Sequence, residues 1–528
     1  MNYLFTNALI FPMDVRGASI HDSLLVKNGR IALLGSWESC QAFADGPVEE
    51  IDLQRKVLLP GLIDTHVHFT EFAKQRMQVD LIGCTSIGEI RQRLLAFRDK
   101  HSVLPAWVLG GGWDINRIDE PKLVNRDLLD EIFPHTPVAL YSKDYHTRWC
   151  NTDALQRAGF TDGRPAPAGG SLQRSSDGVL TGIIFETAAE LLDKFIQPLS
   201  REQVKAAFEQ AIKDIHKLGL VSVHSMEKNS DASTLEEYIR ESGSLRICRY
   251  FYLEELEGMI EQGLRSYTGD EWFKTGGLKL FADGALGSQT AAILGEYPES
   301  DANSGILRHS EEELLQIASR AASHGISCAV HAIGDRAVRA IINTFITLRE
   351  RFFQVELLSR IEHLQAIAPE DIPRLKKSGA YCAMQPVHMA NDIDMIEKYW
   401  PDIREEAYCL RSLVDNGIPL GFGSDAPIET IDPFKGIYCA LARKSRMDPN
   451  EPTWLENQRI TPWEALYGYT LGAARGADSQ HFTGSLTPGK LADLIVLDDF
   501  LDAPEEFWLK ARSRLTMLNG EIVWRDGV

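Results

Sequence analysis

From about residue 200 onward the chain repeats one unit: an amphipathic helix, a glycine where the helix stops, a short apolar strand, and a polar residue where the strand ends. Four copies are readable. In the first, Ser200 and Gln203 form a capping box and Val204, Phe208, Ile212 and Ile215 share one helical face. Gly219 then ends the helix, and Leu220-Val221-Ser222-Val223 runs into His224. The second starts at Ser310 and Glu313, turns near Gly325 and delivers His331. A third passes Gly379 to reach Gln385, and a fourth passes Gly417 to reach Asp425.

Helices alternating with parallel strands build either an open doubly wound sheet or a closed (β/α)8 barrel, and both collect their sites at the strands' C-terminal ends. Strand ends at His68, Tyr145-His146, His224, Lys279, His331, His363, Gln385 and Asp425 make eight. That count predicts a TIM-like barrel over residues 59–483. Two long connections, from His68 to about Val138 and from His146 to about Leu220, are expected to carry insertions that shape a pocket. Residues 1–58 and 484–528 read instead as short strands, with turn signals at Asn28-Gly29, Asp45-Gly46 and Asn519-Gly520. The economical arrangement joins both ends in one small composite β-sandwich beside the barrel.

The chain has 528 residues, 44% of them hydrophobic, which is ample for a large core. Asp and Glu total 75 against 55 Lys and Arg, a formal charge of −20. That balance disfavours nucleic acid and anionic membranes as partners. No apolar run of 18 residues occurs, and the first residues lack a basic segment followed by an apolar one, so a soluble, cytoplasmic protein is expected. The eight cysteines contain no Cys-x-x-Cys pair and fit reduced, buried thiols.

The run Leu58-Leu59-Pro60-Gly61-Leu62-Ile63-Asp64-Thr65-His66-Val67-His68 ends in two histidines two residues apart. Side chains at i and i+2 of a strand share a face, so both imidazoles can reach one ion. With Lys279, His331, His363 and Asp425 at other strand ends, the donor set suits divalent ions such as zinc: two per chain, or one as the alternative. A lysine beside cations is repelled unless burial and neighbouring charge make its amine neutral. A neutral amine can add carbon dioxide and become an anionic bridge between two ions. The competing role for Lys279 is an ion pair with Asp283.

Further motifs accompany these residues: Leu278-Lys279-Leu280-Phe281-Ala282-Asp283-Gly284, His331-Ala332-Ile333-Gly334-Asp335-Arg336, Arg360-Ile361-Glu362-His363, Gln385-Pro386, Gly423-Ser424-Asp425-Ala426-Pro427 and Gly489-Lys490-Leu491-Ala492-Asp493-Leu494. With them the chain resembles the amidohydrolase superfamily over nearly its whole length, and within it the YtcJ-like (amidohydrolase-3) branch that includes N-substituted formamide deformylase. The resemblance implies a metal-bearing barrel that hydrolyses an amide, N-formyl or N-acyl C–N bond of a small molecule with a metal-activated hydroxide. It implies that His66, His68 and Asp425 hold one metal and His331 and His363 a second, bridged by a carboxylated Lys279, with Glu186 the competing bridge.

Asp425 is the expected catalytic acid–base group, taking the water's proton and returning it to the leaving amine. Trp113 in a Gly110-Gly111-Gly112 loop, His146, Asp283 and Gln385 are candidates for the substrate pocket. A homodimer is a further expectation. Three rivals stand beside this reading. A deaminase would carry His-x-x-Glu after the fifth strand, where this chain has His331-x-x-x-Asp335. An ester or lactone hydrolase could use the same centre. An inactive amidohydrolase-like scaffold would lack ligands that are present here.

Overall fold

A computed structural model gives the fold and describes residues 2–14, 17, 19, 21–100, 104–143, 146–298, 302–354, 357–498, 500 and 503–528. The chain divides into two compact units, residues 1–70 with 212–528, and residues 71–211.

In the first unit, eight strands pair in parallel and in chain order: β1 (Leu62–Val67), β2 (Leu220–Met226), β3 (Arg246–Tyr252), β4 (Phe273–Phe281), β5 (Cys328–Ala332), β6 (Arg360–His363), β7 (Tyr381–Met384) and β8 (Leu420–Phe422). The ring closes just beyond β8, where Asp425 N donates to the His66 carbonyl at 2.7 Å and His68 N to the Ala426 carbonyl at 2.8 Å. Burial on both faces explains the near-continuous apolar runs, and every residue of β1, β2, β6, β7 and β8 is buried. Ser310 and Glu313 cap helix Glu311–Ala322 reciprocally, and Gly219, Gly325, Gly379 and Gly417 all sit at left-handed φ (+81°, +73°, +71° and +65°) between a helix and the next strand.

The barrel differs from the expected one at a single strand. Val138–Ser142 lies in the other unit, and Asp144 and Tyr145 are outside the described residues. The place is taken by β3, whose two arginines hide its strand character. Each is neutralised at close range: Arg246 grips Asp493 with two bonds of 2.7 and 2.9 Å, and Arg249 meets Glu255 at 2.6 Å. The two expected insertions are accordingly one excursion between β1 and β2.

Both termini build two further sheets of the same unit. One has four strands in the order Arg30–Gly35, Ser23–Lys27, Tyr3–Thr6 and Glu49–Asp52. The other has five, in the order Leu9–Ile10, Val57–Pro60, Leu494–Leu497, Leu515–Leu518 and Glu521–Arg525. Val57–Pro60 pairs antiparallel with Leu494–Leu497, and Phe5, Leu24, Val26, Leu58, Val496 and Leu515 share one core. The hairpin turns Asn28-Gly29 and Asn519-Gly520 have positive φ at all four residues and press on each other. A Cβ on Gly520 would stand 2.5 Å from Gly29 Cα. Asp45-Gly46 instead follows helix Trp37–Phe43.

The second unit is a six-stranded mixed sheet, in the order Gly170–Arg174, Leu180–Glu186, Thr147–Cys150, Val138–Ser142, Val108–Trp113 and Val79–Asp80. The glycines expected in a loop lie within strand Val108–Trp113. Neighbouring strands crowd them, so a Cβ on Gly110 would meet Val79 O at 2.1 Å and one on Gly111 would meet Tyr141 O at 2.0 Å. Among the described residues no helix is long and apolar enough to cross a membrane.

Gly520→Ala adds a steric clash to left-handed strain and is expected to destabilise the chain by about 1–3 kcal/mol. Gly489→Ala, at φ +92° with nothing within 4 Å of the new methyl, is expected to cost no more than about 1 kcal/mol. Urea unfolding of the two variants against the parent checks both; equal midpoints would show that the turns do not bear on each other.

Candidate metal centre

Five strand ends converge inside the barrel mouth. His66 and His68 come from the end of β1, Lys279 from β4, His331 from β5, His363 from the last position of β6, and Asp425 from just beyond β8. The imidazole of His363 lies between two others, with centroids 4.8 Å from His66 and 4.6 Å from His331, and His66 lies 5.8 Å from His68. Donor atoms of His66, His363 and Asp425 all fall within 4.8 Å of one another. Asp425 Oδ1 is 3.2 Å from His68 Nε2 and 3.4 Å from His66 Nε2. His363 and Asp425 both hold left-handed φ, +77° and +58°, a strain that turns their side chains into this cluster.

Each histidine has one ring nitrogen committed elsewhere. His66 Nδ1 lies 2.5 Å from Glu362 Oε2, His68 Nδ1 3.2 Å from the Met226 carbonyl, and His363 Nδ1 2.8 Å from Gln385 Oε1. His331 Nε2 lies 2.9 Å from the Gly284 carbonyl. An acceptor at that distance fixes the ring N–H there and leaves the lone pair on the opposite nitrogen, as an ion-binding imidazole requires. Burial pushes His66 down to about 4, His331 down to about 3 and His363 well below its ordinary value, so all three are neutral at neutral pH. Burial alone would raise Asp425, but the charge that His66 and His363 take up on protonation in acid, with the contact to His68, outweighs it and holds the carboxyl well below the usual range. Its buried Oδ1 accepts no hydrogen bond. A carboxylate oxygen without a donor, facing imidazole lone pairs, fits a divalent cation.

Beneath His66 lies a wholly buried ion pair. Arg360 Nε donates to Glu362 Oε1 at 2.8 Å, and its remaining nitrogens reach Tyr250 Oη at 2.6 Å, His224 Nδ1 at 2.9 Å and the Thr65 carbonyl at 2.7 Å. Burial pushes Glu362 up, but Arg360 and His66 overcome it and hold the acid at about 2. The sequence motifs by themselves give neither residue a role. Their signal is an i, i+2 pair of opposite charges inside an otherwise apolar strand. His388 was also missed; its Nε2 lies 3.9 Å from Asp425 Oδ2, on the first turn after Gln385-Pro386.

Other candidates have different neighbours from those expected. Asp283 is fully enclosed and accepts N–H bonds from Ala292, Ile333 and Gly334 at 2.9–3.0 Å, so it braces the loop after β4, with Oδ1 3.5 Å from His331 Nε2. Lys279 Nζ lies 3.4 Å from His66 Nε2 and makes no ion pair with Asp283; burial lowers it to about 8. Gln385 is 1% exposed and orients His363. Asp335 accepts from Leu294 N and Arg336 N, both at 2.9 Å. In the second unit, His146 and Glu186 pair with each other at 3.1 Å, both more than half exposed. Trp113 there is 3% exposed, donates to the Leu140 carbonyl and packs edge-on against Trp149, although it also borders a cavity of about 1110 Å³.

The amidohydrolase family model matches residues 49–524. The chain is similar to a putative amidohydrolase, YtcJ, of Bacillus subtilis, at 31% identity over 95% of this chain and 96% of the relative. It is 26% identical to N-substituted formamide deformylase of Arthrobacter pascens, over 94% and 93%. Among solved structures, a metal-dependent hydrolase from Pyrococcus horikoshii superposes with a TM-score of 0.75 at 28% identity, covering 96% of this chain and 99% of that one.

Glu362→Ala strands the Arg360 charge in the interior and is expected to destabilise by about 3–5 kcal/mol. Removing both charges in Arg360→Gln/Glu362→Gln is expected to restore much of the stability yet weaken zinc binding about 10–100-fold, read by chelator competition. Unchanged zinc affinity in the double variant would show that Glu362 only supports the barrel. Lys279 carries a proton below about pH 8, and that charge repels an ion at His66. Zinc affinity is therefore expected to rise as pH passes upward through about 8, and Lys279→Met to abolish this inflection in the titration.

Proposed function

The chain belongs to the amidohydrolase family, and from that premise we propose that it hydrolyses a C–N bond of a small amide, with N-formyl and N-acyl amines as the leading substrates. One observation carries the reading: His66, His68 and His363, each with one ring nitrogen already engaged, face a buried carboxylate oxygen of Asp425 that lacks a donor, and His331 lies against His363. The name of the formamide deformylase relative directs the choice of acyl group.

In this reading His66, His68, His363 and Asp425 hold an ion, with Lys279 and His331 as the further ligands of a second. A divalent ion there supplies Lewis-acid chemistry, acidifying water and polarising a carbonyl. Asp425 Oδ2 takes the proton of the attacking water and returns it to the departing nitrogen as the carbon–nitrogen bond breaks. His388 Nε2, 3.9 Å from that oxygen, is the neighbouring polar group on the far side of the carboxylate. The bonds that Asp335 accepts from Leu294 N and Arg336 N leave it poorly placed for the proton shuttle a deaminase needs, which speaks against deamination.

The test starts with metal stoichiometry by plasma mass spectrometry on protein expressed with zinc and bicarbonate, followed by turnover of N-formyl and N-acyl amines. Near two ions supports the bridged centre and near one supports the His66, His68, His363 and Asp425 set, whereas no ion after reconstitution would remove the hydrolase reading. Asp425→Asn is expected to lower kcat by on the order of 10³ while retaining most bound zinc. Parent-like turnover in that variant would exclude the acid–base role.

A further inference from the structure

Phe281 is the last residue of β4, two positions beyond Lys279, so both side chains point to the inner face of the barrel. Its ring forms a small aromatic rim with Tyr252, the last residue of β3, stacked at 6.2 Å and 12°, and it lies 5.3 Å from the His331 ring. Lys279 Nζ stands 5.2 Å from the centroid of Phe281. The guanidinium of Arg308 stands 5.6 Å from the same centroid. One aromatic ring therefore neighbours both an exposed cation and two members of the strand-end cluster, Lys279 and His331.

Arg308 sits on a braced segment. Its amide donates to the Ala282 carbonyl at 2.8 Å, beside the end of β4, and Ile306 N donates to Thr290 O at 3.1 Å. Arg336 holds the preceding turn through Ser304 Oγ and the carbonyls of Ser304 and Gly305, at 3.1–3.2 Å. Arg308 makes no ion pair with any described carboxylate. Asp283, the acid whose field it touches, is enclosed with its oxygens occupied by backbone N–H groups. An exposed guanidinium carried on an anchored main chain beside the barrel's strand ends, and paired with no carboxylate among the described residues, suits a planar carboxylate.

We propose that Arg308 reads a carboxylate on the substrate, and that the substrates are amides carrying that group on the amine side, the chemistry of an N-formyl or N-acyl α-amino acid. The inference rests on the amide-hydrolase reading and deepens it. Tyr252 and Phe281 would cover the apolar part of such a molecule while the amide reaches the ligands below.

N-formylphenylalanine and N-formyl-2-phenylethylamine form a matched pair that differs only by the carboxylate. In the zinc-loaded parent, kcat/KM is expected to favour the acid by about 10–100-fold, the worth of a charge-assisted hydrogen bond. In Arg308→Leu the ratio is expected to fall to about 1, and Arg308→Lys to keep part of it, since the charge remains without the fork. A parent that favours the neutral compound, or a ratio that survives in Arg308→Leu, overturns the proposal. Turnover of neither compound removes the formamide reading and leaves calorimetric binding to decide on Arg308. Tighter binding of the acid in the parent but not in Arg308→Leu upholds the carboxylate site; equal or absent binding ends it.

Discussion

An imidazole grips a cation through a free lone pair; burial keeps His66 neutral against the pull of Glu362, and that carboxylate, buried as completely as the ring itself, holds the second nitrogen. Taking Glu362 out of water costs several kcal/mol, and taking Arg360 out as well would double the cost if the two were not in contact. The arginine offsets this by using its fork fully, on Glu362, Tyr250, His224 and the Thr65 carbonyl. Those partners lie on β6, β3, β2 and β1. The barrel interior and the strand-end cluster of His66 are thus one hydrogen-bonded object. Anything that slides one strand past the next also disorients the ligand.

A second buried pair performs the corresponding task at the other end of the same strands. Asp493 accepts two bonds from Arg246 at the start of β3, a third from Asn519 N at 2.8 Å and a fourth from Thr483 Oγ1 at 3.2 Å. One carboxylate therefore ties the barrel to the C-terminal hairpin, and Asn28-Gly29 from the far end of the sequence packs against that hairpin. The Gly489–Leu494 motif has an architectural role in this chain and takes no part in the chemistry.

What was legible in the sequence was whatever has a period or a fixed spacing. Apolar strands ending in polar residues disclosed the barrel, and a strand's two-residue alternation was enough to place the rings of His66 and His68 on one face, where the structure brings them together with Asp425. The strand Arg246–Tyr252 escaped because its arginines are compensated by Asp493, far away in sequence, and by Glu255, which lies beyond the strand; local hydropathy registers the charge but not the partner. The glycines at 110–112 read as a loop since flexible residues usually mark one, whereas here they make room between crowded strands. Asp283 and Gln385 looked like pocket residues by position alone. Their actual work, accepting backbone amides and orienting His363, depends on loop geometry that no spacing encodes.

The same distinction separates the ligand set from substrate choice. Two of the acceptors that hold histidines are backbone carbonyls, of Met226 and Gly284, and a carbonyl is present whatever side chain the residue carries. The orientation of these imidazoles therefore belongs to the fold, and residues around the mouth can change without disturbing it. Arg308 is a residue of that kind. It lies on a returning segment after β4, anchored through main-chain atoms and Arg336, so a different side chain at position 308 would leave the imidazoles where they are. A family likeness resting on the strand-end residues consequently says little about which molecule would be bound, since that choice would fall to the few side chains that the scaffold leaves free to vary.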